Sequence, residues 1–261
     1  MLLTNQNYLK PLLRDGKKVI GAWAQAASNI TAEILADAGF DLVMVDLEHG
    51  PGDILTLITQ IQAMKGHQAV PFARAPWNDF VQIKRILDAG VYGLLVPYVN
   101  TKAQALEAVN AVKYPTEGIR GVAGSPRAGH YGNNSLEYIN IANDEIILLT
   151  AIETPQAVQN LDEILEVDAI DGIFIGPMDL STNMGHMGNP KHPEVVETIA
   201  LIERKVQARQ KFLATIAGSW EDAQQKYARG YQILLTLSDT TSLSKIARER
   251  VAEFTQAFPN R

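Results

Sequence analysis

The chain has 261 residues, 46% of them hydrophobic, enough for one large α/β barrel, so length alone does not demand two domains. A formal net charge of −6, with no local Lys/Arg-rich run, excludes the basic surface that a nucleic-acid partner requires. The absence of cysteine excludes disulfides, thiolate metal sites and a cysteine nucleophile. No apolar run reaches the ~18 residues of a membrane span, and residues 1–18 lack an apolar core followed by a small-residue cleavage site. A soluble, cytoplasmic protein without a membrane partner is expected.

Short apolar runs rich in β-formers alternate with longer amphipathic stretches. The first predicted strand is Val19–Ala24, with a helix over residues 31–38 closed by Gly39. Leu42–Asp46 follows as the second strand, then a helix over 54–64. The third strand covers 69–74 with a helix over 79–89, and the fourth covers 91–97 with a helix over 102–112. A loop-like insertion, rich in Gly, Pro, Ser and Asn, runs over 114–143. The fifth strand, 146–152, precedes a helix over 155–165. The sixth, 170–175, leads into a second loop over 176–193 and a helix over 194–210. Phe212–Ile216 is the seventh strand, with a helix over 221–229; the eighth, 231–235, is followed by a last helix over 242–258. Eight alternations in one chain predict a single-domain (β/α)₈ TIM barrel, and the continuous apolar strands suit parallel pairing buried on both faces. An open doubly wound sheet usually carries a Gly-rich first turn, and WAQAASN has no glycine.

Chemistry on such a barrel sits where the strands end. Those ends carry Trp23, Asp46, Glu48, His49, Arg74, Glu153 and Asp179. Glu153 and Asp179 suit a hard cation such as Mg²⁺ or Mn²⁺; alternatively, Glu153 caps the following helix and Asp179 N-caps a short turn. Asp46 near His49 has the make-up of an oriented general base, against the alternative of a water-exposed loop histidine. Arg74 suits a carboxylate or a developing enolate, or an ion pair with Asp46 or Glu48, or both. Trp23 is either pocket wall or core. Arg120 and Arg127 belong to the insertion, and His67, His130, His186 and His192 read as plain loop histidines. An imine-forming mechanism needs a lysine projecting from a strand; Lys18 and Lys211 only precede strands, which favours a metal as electron sink.

The runs VDLEHGP (45–51), FARAPWND (72–79), RILDAGVYGLLVPYV (85–99), YPTEGIRGV (114–122), IETPQAV (152–158), GIFIGPMDLS (172–181) and GNPKHPEV (188–195) lie in register over nearly the whole chain. In these runs the chain resembles the HpcH/HpaI family of class II pyruvate aldolases, on a barrel of the phosphoenolpyruvate/pyruvate type. The resemblance implies Glu153 and Asp179 as ligands of a divalent metal (Mg²⁺, Mn²⁺ or Co²⁺). It implies Arg74 as the group that binds pyruvate and stabilises its enolate, and His49 as base, oriented by Asp46. Asp88 would be supplied across an interface. Backbone N–H groups around Met178 and Asp179 would hold the substrate carboxylate, and Trp23 would line the pocket. The implied reaction is cleavage or formation of a 4-hydroxy-2-oxo acid from pyruvate and an aldehyde, in aromatic-compound catabolism. The implied assembly is a homohexamer, a trimer of dimers exchanging C-terminal helices.

Three positions depart from the family pattern: Ala151 stands where a Gln is usual, Met178 replaces a small residue, and Leu237 occupies a late run that often contains Gly. Related alternatives are a citrate-lyase-like CoA-ester lyase and an oxaloacetate decarboxylase; a weakly catalytic barrel that binds a small acid is an alternative of another class.

Overall fold

A computed structural model describes residues 7–261; the first six residues of the N-terminal stretch lie outside it. Its elements run in the order α1 (Leu9–Arg14), β1 (Val19–Ala24), α2 (Asn29–Asp37), β2 (Leu42–Asp46), α3 (Ile54–Ala63), β3 (Val70–Arg74), α4 (Phe80–Ala89), β4 (Gly93–Val96), α5 (Lys102–Val112), α6 (Ser135–Glu145), β5 (Ile147–Ile152), α7 (Pro155–Gln159), α8 (Leu161–Leu165), β6 (Gly172–Ile175), α9 (Pro177–Asn183), α10 (Pro193–Ala208), β7 (Phe212–Ile216), α11 (Trp220–Ala228), β8 (Ile233–Ser238) and α12 (Asp239–Ala257). The strands close into a barrel in sequence order, and every neighbouring pair is parallel.

Strand periodicity of two divides the buried residues into two cores. Leu42, Met44, Val70, Phe72, Leu95, Leu149, Phe174 and Leu235 fill the barrel interior, whereas their neighbours Val43, Val45, Ala73, Leu94, Leu148 and Ile173 pack beneath the helices. The interior ladder continues upward through Asp46, Arg74 and Glu153, each two residues beyond an inward apolar residue. The alternation that buries Met44, Phe72 and Ala151 therefore delivers charge to the mouth. Room inside is made at Gly93, where an added Cβ would lie 2.2 Å from the Phe72 ring. At the opposite end α1 plugs the barrel with Leu9 and Leu13, and Lys10 is tied to the Ile146 carbonyl and to Asp171.

The eight predicted strands are all present. The 114–143 insertion is not a plain loop: it contains a 3₁₀ turn (Arg127–Gly132) and α6, which buries Tyr138 and Ala142 at helical spacing. The loop after β6 begins with α9. The helix expected over 155–165 breaks at Asn160, whose side chain donates to the Asn100 carbonyl at 2.8 Å. The last strand reaches Ser238, because a register shift between Gly21 and Ala22 pairs Ala22 with Leu237 and Trp23 with Ser238. The helix after it, α12, has no buried residue. Among the described residues, no helix is long and apolar enough to cross a membrane.

Candidate active site

A cavity of about 620 Å³ opens at the C-terminal ends of the strands, lined by Trp23, Arg74, Glu153, Phe174 and Asp179 among others. A depression of about 580 Å³ on the outer flank, by the starts of α3 and α4, gathers only Asp53 and Arg85 as charged groups. The strand-end residues Trp23, Arg74, Glu153 and Asp179 gather at the first.

Arg74 organises one side of the mouth. Its Nε donates to Asp46 Oδ1 at 2.9 Å and its Nη2 to Asp46 Oδ2 at 2.6 Å, while Nη1 lies 3.1 Å from Glu48 Oε2. The guanidinium lies 4.6 Å over the Trp23 ring, and Trp23 meets Phe174 edge-on at 6.1 Å. Both readings of Trp23 hold, since it is buried and lines the cavity. Burial opposes ionisation of Asp46, but the hydrogen bonds and charge of Arg74 outweigh it and hold the carboxyl below its ordinary range. Gln25 extends this network: its Nε2 donates to Asp46 Oδ2 at 2.9 Å, and its Oε1 accepts from Ser238 Oγ at 2.7 Å. The chain of contacts thus joins β8, the end of β1, β2 and β3 across the mouth.

Glu153 organises the other side. It is 4% exposed, and its Oε1 accepts from the Tyr98 backbone N–H at 2.7 Å. Burial, reinforced by the fields of Asp179 and Glu48, pushes its carboxyl up to about 7. Gly176 allows the close approach of this side chain, since an added Cβ would lie 2.6 Å from Glu153 Oε2. Asp179 sits in the first turn of α9 and accepts from the Tyr98 hydroxyl at 3.4 Å. Neither carboxylate is a helix cap. Thr154 caps α7, accepting from Ala157 N–H at 3.0 Å, and Gly176 holds the N-cap position of α9. Both acids are therefore spare.

The metal fit follows from the charge at this mouth. Asp46 and Glu48 are bonded to the Arg74 guanidinium, while Glu153 lies in the fields of Asp179 and Glu48, which raise its carboxyl, and of Arg74, which opposes them. A buried carboxyl beside a second one, with oxygen donors only, suits a hard divalent cation.

Other expected residues fall elsewhere. Asp46 does not orient the His49 ring: it accepts only the His49 backbone N–H, at 3.3 Å, because its carboxylate is committed to Arg74. The His49 side chain is 62% exposed, with Nε2 3.9 Å from Glu48 Oε1, and lies at the rim. Asp88 closes α4 away from the mouth and pairs with Arg120 at 2.8 Å. Arg120 is fully buried between Tyr114 and Tyr138, and Arg127 donates to the Ala89 carbonyl, so neither arginine reaches this mouth. Met178 is half exposed at the cavity edge, and Ala151 and Leu237 both line it. Sequence reasoning missed Tyr98 and Gln25, whereas the Arg74 ion pairs with Asp46 and Glu48 are those it offered. Tyr98 had a signal, since it lies two residues past β4 in LLVPYV; its left-handed backbone (φ 52) is unusual for a bulky residue.

Comparison with known proteins identifies the family. The profile of the HpcH/HpaI aldolase/citrate lyase family matches residues 19–245. A 4-hydroxy-2-oxo-heptane-1,7-dioate aldolase of Klebsiella pneumoniae is 41% identical over 249 residues, covering 95% of this chain and 94% of its own. The Escherichia coli protein of that description is 39% identical, with 95% of each chain covered. Among solved structures, an HpcH/HpaI aldolase/citrate lyase family protein from Burkholderia cenocepacia superposes with a TM-score of 0.91 at 30% identity, covering 95% of this chain and 99% of its own. An eight-stranded parallel barrel matched over nearly its whole length by aldolases sets the class, a lyase acting on carbon–carbon bonds of small molecules. The chain belongs to the HpcH/HpaI aldolase/citrate lyase family.

Proposed function

We propose that this chain cleaves and forms a 4-hydroxy-2-oxo acid, with pyruvate as one partner and an aldehyde as the other, using a divalent cation held by Glu153 and Asp179. The observation that carries the metal is the buried Glu153 carboxyl, raised by burial and by its acidic neighbours against the weaker field of Arg74, and ion-paired with no cation among the described residues. When bound, Mg²⁺, Mn²⁺ or Co²⁺ supplies a Lewis acid for the 2-oxo group. The protein does the rest. Arg74, fixed by Asp46 and Glu48, turns its remaining N–H groups toward the oxygen that gains charge as the enolate forms. The first-turn N–H groups of Met178 and Asp179, which a helix leaves without internal acceptors, suit the substrate carboxylate. His49, at the rim, is the proposed base and Glu48 its nearest carboxylate. Trp23 and Phe174 shield the reacting carbon from water.

Lys245, on the second turn of α12, also lines the cavity. A cation there suits a second carboxylate at the far end of the substrate, as in the dioate named for the Klebsiella and Escherichia relatives. We further assign a homo-oligomer, a hexamer built as a trimer of dimers. The exposed apolar residues Leu243, Ile246, Val251 and Phe254 give α12 a face suited to a neighbouring copy, and Asp88 needs such a neighbour to reach a mouth.

The test is exchange of the pyruvate methyl protons in D₂O, which needs no aldehyde. Exchange that disappears with EDTA and returns with Mg²⁺ or Mn²⁺ is expected. Exchange independent of metal, or absent at every metal concentration, overturns the proposal.

A further inference from the structure

Outside the mouth, the loop between α9 and α10 brings two imidazoles and a carboxylate together. His186 Nε2 lies 2.7 Å from Glu194 Oε2. The rings of His186 and His192 stack with centroids 3.5 Å apart and planes 14° from parallel. One donor atom from each of the three residues falls within 4.8 Å of the others, the one such group among the described residues. A surface ion pair with Glu194 needs a single imidazole. The second, laid flat on the first, brings another nitrogen donor to the same carboxylate.

The loop backbone fixes this arrangement. His186 N–H donates to the Ser181 carbonyl at 2.8 Å, Asn189 N–H to the His186 carbonyl at 2.9 Å, and His192 N–H to the Asn189 carbonyl at 3.1 Å. His192 Nδ1 accepts the Glu194 N–H at 3.3 Å, so the neutral ring carries its proton on Nε2; binding an ion through Nε2 moves that proton to Nδ1 and gives up this one contact. The geometry points to a second cation site, formed by His186, His192 and Glu194, for a borderline transition ion of the Zn²⁺ class. Two nitrogens and one carboxylate oxygen match that ion's preference, whereas the oxygen-only mouth suits Mg²⁺ or Mn²⁺. Donors about 2.1 Å from a tetrahedral ion stand ~3.4 Å apart; because an imidazole lone pair lies in its ring plane, the two stacked rings turn out of their stack to close around one ion. Any proton shared between His186 and Glu194 leaves as the ion enters, and three protein ligands leave the fourth position to water.

The site's role is to staple the loop. It ties His186 to the first turn of α10, and the loop leans on the mouth, since a Cβ added at Gly188 would lie 3.9 Å from Met178 Cε. A bound ion therefore steadies the wall that carries Met178.

Zn²⁺ is titrated calorimetrically into the full chain carrying Glu153→Gln and Asp179→Asn, which removes the carboxylates proposed for the mouth, and into that chain with His186→Ala and His192→Ala added. The first is expected to bind one Zn²⁺ per chain and to melt at higher temperature with it; the second should bind at least ~100-fold more weakly. Equal binding in the two, or none in the first, overturns the site. An arm that keeps both histidines guards against misfolding caused by their removal: Cu²⁺ loaded into the Glu153→Gln, Asp179→Asn chain should show hyperfine coupling to two imidazole nitrogens, and a spectrum with coupling to fewer than two likewise overturns it. Because neither arm measures catalysis, failure here leaves the pyruvate exchange result standing, and the reverse also holds.

Discussion

Arg74 and Asp46 meet through two parallel hydrogen bonds, at 2.9 and 2.6 Å, with the Asp46 side chain wholly buried and that of Arg74 only 12% exposed. Such a fork fixes the plane of the guanidinium as well as its position. With Trp23 under one face and Glu48 on the third nitrogen, Arg74 has one orientation open to it. An enzyme that must stabilise a developing negative charge gains from a donor that does not reorganise during the reaction.

Replacing Arg74 by lysine keeps the charge and removes the fork. We expect kcat for pyruvate exchange to fall by about 10²–10³-fold, the loss typical of one preorganised donor, with KM changed much less. A kcat within threefold of wild type, in a variant whose circular dichroism matches wild type, would remove Arg74 from the reaction.

Glu153 predicts an unusual pH dependence of stability in the absence of metal. Its folded pKa of about 7 lies above the ordinary 4.5, so folding takes up a proton between those values. This contribution is fully present below the unfolded pKa and is lost as pH rises through about 7. Over that interval it amounts to about 3 kcal/mol at most. Urea unfolding in EDTA at pH 5 to 8 should therefore show Glu153→Gln gaining on wild type as pH rises. Added Mn²⁺ should reverse the order at pH 8, because the ion compensates the ionised carboxylate only in wild type. Parallel pH profiles for the two proteins would contradict the assignment.

Gly176→Ala places a methyl group 2.6 Å from Glu153 Oε2, a distance that forces the carboxylate to move. Mn²⁺ affinity, read by electron paramagnetic resonance titration, should drop by about tenfold or more, in line with disturbed support of a metal ligand. The melting temperature should change by only a few degrees. Unchanged affinity would show that Glu153 has freedom the close approach at Gly176 denies it.

Lys245→Ala should raise KM for a substrate with a terminal carboxylate by about two- to fivefold, the worth of one exposed ion pair. For an acceptor with an uncharged tail, KM should stay the same. Equal effects on both substrates would assign Lys245 to the shape of α12 rather than to recognition.

The face of α12 is tested by Leu243→Ser with Phe254→Ser. Both residues are exposed in the isolated chain, so the substitutions cost this chain little by themselves. In a hexamer that buries them, light scattering should report dissociation to smaller species at micromolar concentration. A variant that retains the wild-type mass would place the subunit interface elsewhere.

The sequence by itself determined the barrel and the acids at its mouth. Strand periodicity is a local property: once 42–46, 70–74 and 147–152 alternate inward and outward, Asp46, Arg74 and Glu153 must follow the inward set to the C-terminal end. The partners were left open: the sequence offered Asp46 both the His49 ring and Arg74. Asp46 lies three residues from His49, yet it binds Arg74, 28 positions away, because β2 and β3 are register neighbours with Asp46 opposite Arg74. Ser238 reaches Gln25 across 213 positions only because the barrel closes β8 onto β1 with a register shift. Closure also set Tyr98 against both Glu153 and Asp179, and left those two acids free of the caps they resembled in the sequence. Side-chain pairings at a barrel mouth depend on shear and on register between strands, and neither is encoded in the spacing along any one strand.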